Sequence, residues 1–408
     1  MAEAMSFPAF VVGLVVAWFT LASMVGTFVV PRYVTSRITY VTMGAVRRGF
    51  RVATRFIPGY EEKDRLLSYM APVALLVLIG VWLVLLLFSY ALMLLPFEGG
   101  DLGNALRVSG SSMLTLGFAA PKAGGSTVIV FAAAATGLVV VALLIGYLPM
   151  IYAAFNRRET LVTMLESRAG EPAWGPELLT REAFIGGLDT LPALYRDWEL
   201  WAADLAETHT THPWLVAFRS PHPLRSWITS MLAVLDSAAL YLALSPDAAP
   251  SEAKNCLRMG FVALRGIADA FRFDYDADPL PNAPIQLPYE DFLAGIARMR
   301  AGNFPIERTP EEAWVHFRGW RVNYESIVYR LADENIVVPA LWSGSRSYID
   351  GTPIPPIRPV QRSPERPEGI EKVEVPDISK WIKQKRKMEL AKKKLNEAAV
   401  AEEGERQA

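Results

Sequence analysis

The sequence predicts an all-α membrane protein: three transmembrane helices, a re-entrant loop before the third, and an α-helical cytosolic domain. Three observations carry this. Hydrophobic residues make up 52 % of the 408 and mean hydropathy is +0.22, with the excess concentrated before residue 156. That portion contains three long apolar runs without a single charge. Beyond it, every periodic segment has helical spacing, and no strand-like alternation competes.

The first run is Pro8 to Val30. At about 1.5 Å per residue it covers a ~30 Å hydrocarbon core. Ala22-Ser23-Met24 offers a small-residue cleavage site, but no basic stretch precedes the run, so it is expected to stay as a span rather than leave as a signal peptide. Arg32 to Leu66 follows with Arg32, Arg37, Arg47, Arg48, Arg51, Arg55, Lys63 and Arg65. Short basic loops stay in the cytoplasm, which puts the N-terminus outside. Ile38, Val41, Val46, Phe50 and Phe56 interleave with the arginines. An amphipathic helix on the inner leaflet, touching anionic lipid, fits that pattern, and a solvated basic loop fits it equally.

Ala71 to Leu95 is the second span, running outward, with Pro96 ending it. Trp82 lies mid-span and is expected to pack against a neighbouring helix. Phe97 to Gly125 then lies outside, with only Arg107 and Lys122 as basic residues. Glu98 and Asp101 in this stretch either attract cations or are plain solvated charges. Ser126 to Phe155 is the third span and closes on Asn156-Arg157-Arg158, an inner-side signature. Gly137 is expected to allow close helix packing, and Gly146 to Pro149 to mark a bend.

Between the second and third runs lies Asn104 to Pro121, NALRVSGSSMLTLGFAAP. Its first half suits a short helix; its second half contains Gly117 and meets Pro121. Irregular backbone at membrane depth is tolerated only where it is buried in protein or lines a watery cavity. The order of span, short helix, Thr115-Leu116-Gly117-Phe118 and span resembles the pore module of the potassium channel family, over roughly Leu66 to Arg158. The resemblance implies that Thr115, Leu116, Gly117 and Phe118 supply ion-facing carbonyls, with the Thr115 hydroxyl as a further ligand. It implies a homotetramer, because one loop cannot surround an ion, and a monovalent cation, K⁺ first, as the permeant species. It places Glu98 and Asp101 at the pore mouth and the Gly146–Pro149 bend on the inner helix. Ala119 stands where the family has a second Gly, and Ala120 where it often has Asp. The outer end of the filter is therefore expected to be built differently.

Glu159 to Trp342 reads as a cytosolic helical bundle. Helices are expected over Arg181–Glu207, Ser226–Leu244, Ser251–Phe271, Tyr289–Met299 and Thr309–Asp333, the last opening on the capping box Thr309-Pro310-Glu311-Glu312. Arg318, Arg321, Glu325 and Arg330 are expected in exposed or interhelical ion pairs. A Pro-rich linker spans 343–376, and a basic helical tail spans 377–408, with Trp381, Met388 and Leu395 seven apart. The tail is a second candidate for anionic lipid, though a solvated frayed helix is the plainer reading. The domain boundaries are therefore 1–68, 69–158, 159–342, 343–376 and 377–408.

His209-Thr210-Thr211-His212 invites a metal site completed by Glu207 or Asp204. The histidines are three apart and Pro213 ends the helix, which favours a structural role instead. No serine-hydrolase elbow, H-E-x-x-H, P-loop or G-x-G-x-x-G after a strand is present, so no enzyme, cofactor or resident metal is expected. The lone Cys256 excludes an intrachain disulfide, and a net charge of −1 gives no field for nucleic acid. The location expected is the plasma membrane, the inner one in a bacterium. Two other functions fit the same chain. One is a non-conducting relative whose membrane module anchors and oligomerises the cytosolic domain; the other is an anchored binding module with an accidental loop likeness.

Overall fold

The first apolar run folds as α1 (Ala2–Phe28). The basic segment forms α2 (Arg37–Thr54) and a short α3 (Tyr60–Leu67). The second run is α4 (Met70–Leu94) and stops two residues before Pro96. Helix α5 (Leu102–Met113) and the long α6 (Thr127–Ala169) follow. The computed structural model describes residues 2–30, 36–57, 59–122, 124–344 and 356. The linker and basic tail expected beyond Trp342 lie almost wholly outside the described residues.

The chain divides into two units. The first comprises 1–159, 204–219 and 269–272; the second comprises 160–203, 220–268 and 273–408. Two segments well beyond the expected boundary after residue 158 belong to the first unit.

In the first unit α1 lies along α4, and α2 and α5 pack on α4. Trp82, 1 % exposed, donates from Nε1 to Ser23 Oγ at 3.0 Å and meets the Phe28 ring edge-on at 5.1 Å. The mid-span tryptophan is thus a helix-packing residue, as its position implied. A hydroxyl cluster continues from it: Ser36 donates to Ser23, and Thr39 of α2 meets both Ser23 and Thr27. Tyr90 of α4 reaches Thr136 of α6 at 2.6 Å. Helix α6 runs unbroken through Gly146 and Pro149. Pro149 has no N–H, so the Ile145 carbonyl lacks its helical donor.

The second unit is built around α9 (Trp227–Leu244), capped by the Ser226 hydroxyl, which accepts from Ile228 N at 3.2 Å. Helices α7 (Gly175–Phe184), α12 (Pro310–Arg321) and α13 (Glu325–Glu334) pack on it, and α11 (Tyr289–Ala301) packs on α7. Helices α8 (Leu191–Thr211) and α10 (Ser251–Phe271) begin in this unit and end in the first, and no β-strand occurs among the described residues. Cys256 is buried on α10, in the helical core expected of it.

Two expected helices are each two helices. Arg181–Glu207 breaks at Gly186, whose φ of +69° no continuing helix tolerates. Thr309–Asp333 breaks at Val322–Tyr324, where the Asn323 amide turns back to the Gly319 and Trp320 carbonyls. The capping box at Thr309 and Glu312 forms as read.

Of the two settings expected for its ion pairs, exposed or interhelical, Arg321 takes the interhelical one and is 0 % exposed. Its guanidinium donates to Asp236 at 2.6 Å, Glu325 at 2.9 Å, Tyr329 at 2.9 Å and the Trp342 carbonyl at 2.7 Å. Tyr324 donates to the other Asp236 oxygen at 2.7 Å. This network ties α9 to α12, α13 and the chain after them.

Among the described residues, four helices are long and apolar enough to cross a membrane: the three expected and α9. In the first three, 22–33 % of the apolar window is buried; in α9 all of it is. α9 also carries the paired Asp236 and buried Thr229, Ser230 and Ser237. A helix sheathed by protein on every side is apolar for the sake of a core, whereas the other three leave apolar side chains facing outward.

Candidate functional site

The residues singled out in sequence sit on the connection between α4 and α6. Helix α5 begins at Asp101, whose carboxylate accepts from Asn104 N at 3.2 Å and so caps the helix. Ala105 and Val108 are fully buried, and Ser109 Oγ donates to the Leu87 carbonyl at 2.9 Å, fastening α5 to α4. At its far end α5 meets α6 backbone to side: a Cβ on Gly137 would lie 1.8 Å from the Met113 carbonyl oxygen. The packing role read for Gly137 is met at this point. Gly146 has nothing within 4 Å of an added Cβ.

After Met113 the chain leaves the helix through a Schellman motif: Thr115 N donates to Ser112 O at 3.1 Å and Leu116 N to Ser111 O at 2.8 Å. The residue that must go left-handed in this motif is usually glycine; here it is Thr115, at φ +56°. An L-residue in that region costs about 1–2 kcal/mol, and a β-branched one is a genuine outlier. Gly117 follows at φ +70°, while Leu116, Phe118 and Ala119 stay at negative φ.

The N–H groups then fix where the carbonyls go. Gly117 N also donates to Ser111 O, at 3.2 Å, and Ala119 N donates to Ser111 Oγ at 3.0 Å. A trans peptide is planar, so an N–H aimed at Ser111 turns the preceding carbonyl the opposite way. The carbonyls of Thr115, Leu116 and Phe118 are therefore directed away from α5, on a stretch whose residues are exposed. Leu114, Leu116 and Phe118 are each more than half exposed. The Arg107 guanidinium covers the Phe118 ring at 5.5 Å.

Glu98 is neither a free mouth charge nor a solvated one. It is 1 % exposed and accepts from the Asn104 side chain and, at 3.0 Å, from Lys122 N. It staples the start of α5 to the chain that leaves the segment. Asp101 remains exposed, engaged as the cap. Ser111 was not singled out in sequence, although it satisfies three of the segment's N–H groups. The only signal for it is Ser109-Gly110-Ser111-Ser112, a polar cluster between apolar runs.

Ala119 sits unstrained, and the positive-φ alternation ends at Gly117. Its N–H is held by the Ser111 hydroxyl. The far end of the segment thus rests on side-chain acceptors, Ser111 and Glu98.

Elsewhere in the first unit, Arg158 is 1 % exposed. It donates to the carbonyls of Leu215 at 2.6 Å and Phe218 at 2.8 Å, and to Glu159 at 2.9 Å. His209 Nε2 lies 3.2 Å from Arg158 Nη1, and its Nδ1 lies 2.9 Å from Thr208 Oγ1, so both ring nitrogens are engaged. His212 instead meets the Tyr147 hydroxyl at 3.4 Å. Burial, with the Arg158 charge second, holds His209 well below the usual imidazole range.

The sign of the consequence follows. Below about pH 6.5 the unfolded chain binds a proton that folded His209 refuses, so stability falls with acidification. Stability is expected to drop from pH 7 to pH 5, by up to about 1.4 kcal/mol per pH unit, and the melting temperature with it. His209→Gln should flatten that window; an unchanged profile would contradict the neutral, buried assignment.

No protein-family model matches the chain, and neither a curated protein nor a solved structure is significantly similar to it.

Proposed function

We propose that the first unit is one subunit of a tetrameric pore-loop cation channel, similar to potassium channels, conducting passively across the plasma membrane. In this reading α1, α4 and the apolar part of α6 span the bilayer with the N-terminus outside, and the second unit is cytoplasmic. Helix α5 is the pore helix, and Thr115 to Phe118 is the filter.

The observation that carries the proposal is the set of Thr115, Leu116 and Phe118 carbonyls turned away from α5 along an exposed stretch. Four such stretches around an axis would replace a cation's hydration shell with carbonyl oxygen. The C-terminal end of α5, negative by its dipole, lies at the start of that stretch and favours a cation there. K⁺-loaded liposomes carrying the purified protein should release K⁺ passively. A folded tetramer that releases none would favour the second reading.

That second reading is an anchor that oligomerises the second unit without conducting. The end of the positive-φ alternation at Gly117, with Ala119 at negative φ, supports it, because the filter then offers fewer aligned carbonyls.

Thr115→Gly separates the two. Relief of the left-handed strain should raise the protein's stability by about 1 kcal/mol in either case. In a channel the same change removes a hydroxyl and loosens the filter, so K⁺ over Na⁺ discrimination falls while the melting temperature rises. An anchor gains stability with nothing lost.

A further inference from the structure

We propose that α2 is a docking helix for anionic lipid at the membrane surface beside α1 and α4. Residues 36–57 contain five arginines and no acidic residue. Arg37, Arg48, Arg51 and Arg55 are exposed. Positions 37, 48 and 55 are 11 and 7 residues apart, close to three and two turns at about 3.6 residues per turn, so they form one row, and Arg51 lies beside it one turn before Arg55. No carboxylate pairs with Arg37, Arg48 or Arg55 among the described residues.

A second row adjoins the first. Val41, Val52 and Phe56 are 66 %, 50 % and 82 % exposed. Val41 and Val52 each stand four residues after an arginine of the row. The opposite side of the helix is occupied: Thr39, Thr42 and Thr54 are buried, with Thr39 bonded to Ser23 and Thr27 of α1. Helix α2 packs on α1 and α4, both long and apolar enough to span a bilayer, so its free side is held near the membrane they enter.

The pairing of rows selects the partner. A soluble polyanion would match the arginines and leave Val41, Val52 and Phe56 in water. A bilayer surface rich in anionic lipid matches both, with phosphates against the guanidinium groups and apolar side chains set into the acyl boundary. The inference holds whether or not the first unit conducts.

Native mass spectrometry of the full-length protein, released from detergent with equimolar phosphatidylglycerol and phosphatidylcholine, tests it. The wild type should retain phosphatidylglycerol preferentially. R37Q/R48Q/R51Q/R55Q should lose that preference, by roughly two- to fivefold per arginine at low salt. The corresponding fourfold Arg→Lys protein should keep most of it. Should the fourfold Gln protein fail to fold, R48Q/R55Q, at two exposed positions, carries the same comparison. No preference in the wild type, or an equal preference in the Gln variants, would overturn the proposal.

Discussion

Gly137→Ala is expected to cost the first unit about 3 kcal/mol or more, the upper range for forcing a methyl group into a closed contact. The added Cβ would lie 1.8 Å from the Met113 carbonyl oxygen and 2.9 Å from its carbon. Both atoms are backbone at the end of α5, so no rotamer change makes room. Helix α5 must move off α6, and Thr115 to Phe118 hang from that end of α5. The loss should appear as a lower melting temperature in detergent and, in liposomes, as loss of any flux. Gly146→Ala on the same helix is the control. Nothing lies within 4 Å of its added Cβ, and alanine is the better helix former by about 1 kcal/mol, so that protein should be as stable as the wild type or more so. Equal behaviour of the two variants would contradict the close approach.

Arg321→Met should destabilise the second unit by about 3–5 kcal/mol, the usual cost of removing one partner of a buried ion pair. The change leaves Asp236, 1 % exposed, without its cation and with only the Tyr324 hydroxyl as donor, and removes one of two donors to the Trp342 carbonyl, the Tyr329 hydroxyl remaining; Glu325 keeps its bonds from the backbone N–H groups of Gln286 and Leu287. The stranded carboxylate dominates the cost. D236N/R321M should therefore be more stable than the sum of the single effects predicts, because an amide is cheaper to bury than an unpaired charge. Strict additivity in urea or thermal unfolding would mean that the two groups do not act as a pair.

What the sequence made legible follows the physics of each signal. The three long helices that leave apolar side chains facing outward are readable as candidate spans because an uncharged apolar run of bilayer length rarely serves any structure but a membrane crossing. The break at Gly186 stays hidden because Leu188 and Leu191 resume the helical spacing in phase, so the periodicity runs across the gap. Arg321 reads in sequence as an exposed or interhelical pair and Arg158 as a charge flanking an apolar run, and neither shows its full burial, since a charged residue carries no local mark of the partners that bury it. Those partners, Asp236 and the Leu215 and Phe218 carbonyls, lie 57 to 85 residues away. At the candidate site, Gly117 and Ala119 are visible as residue types. The stapling by Glu98 and the bonds to Ser111 are not, because they join the two ends of a loop through side chains that ordinarily sit in water. The exposed arginine row of α2 is half legible: the charges are plain, and their segregation onto one side needs the buried threonines to define the other.

Cation flux from liposomes reconstituted with the purified protein, wild type against Gly117→Val, tests the central claim most directly. Gly117 has φ +70° and nothing within 4 Å of an added Cβ in the single chain, so valine there meets backbone strain but no clash within one subunit. Around a shared axis four such side chains would stand in the ion path. The account predicts passive flux in the wild type, K⁺ faster than Na⁺, and none in a Gly117→Val protein that still folds and assembles. Equal flux from the two proteins, or none from a folded wild-type tetramer, would contradict it.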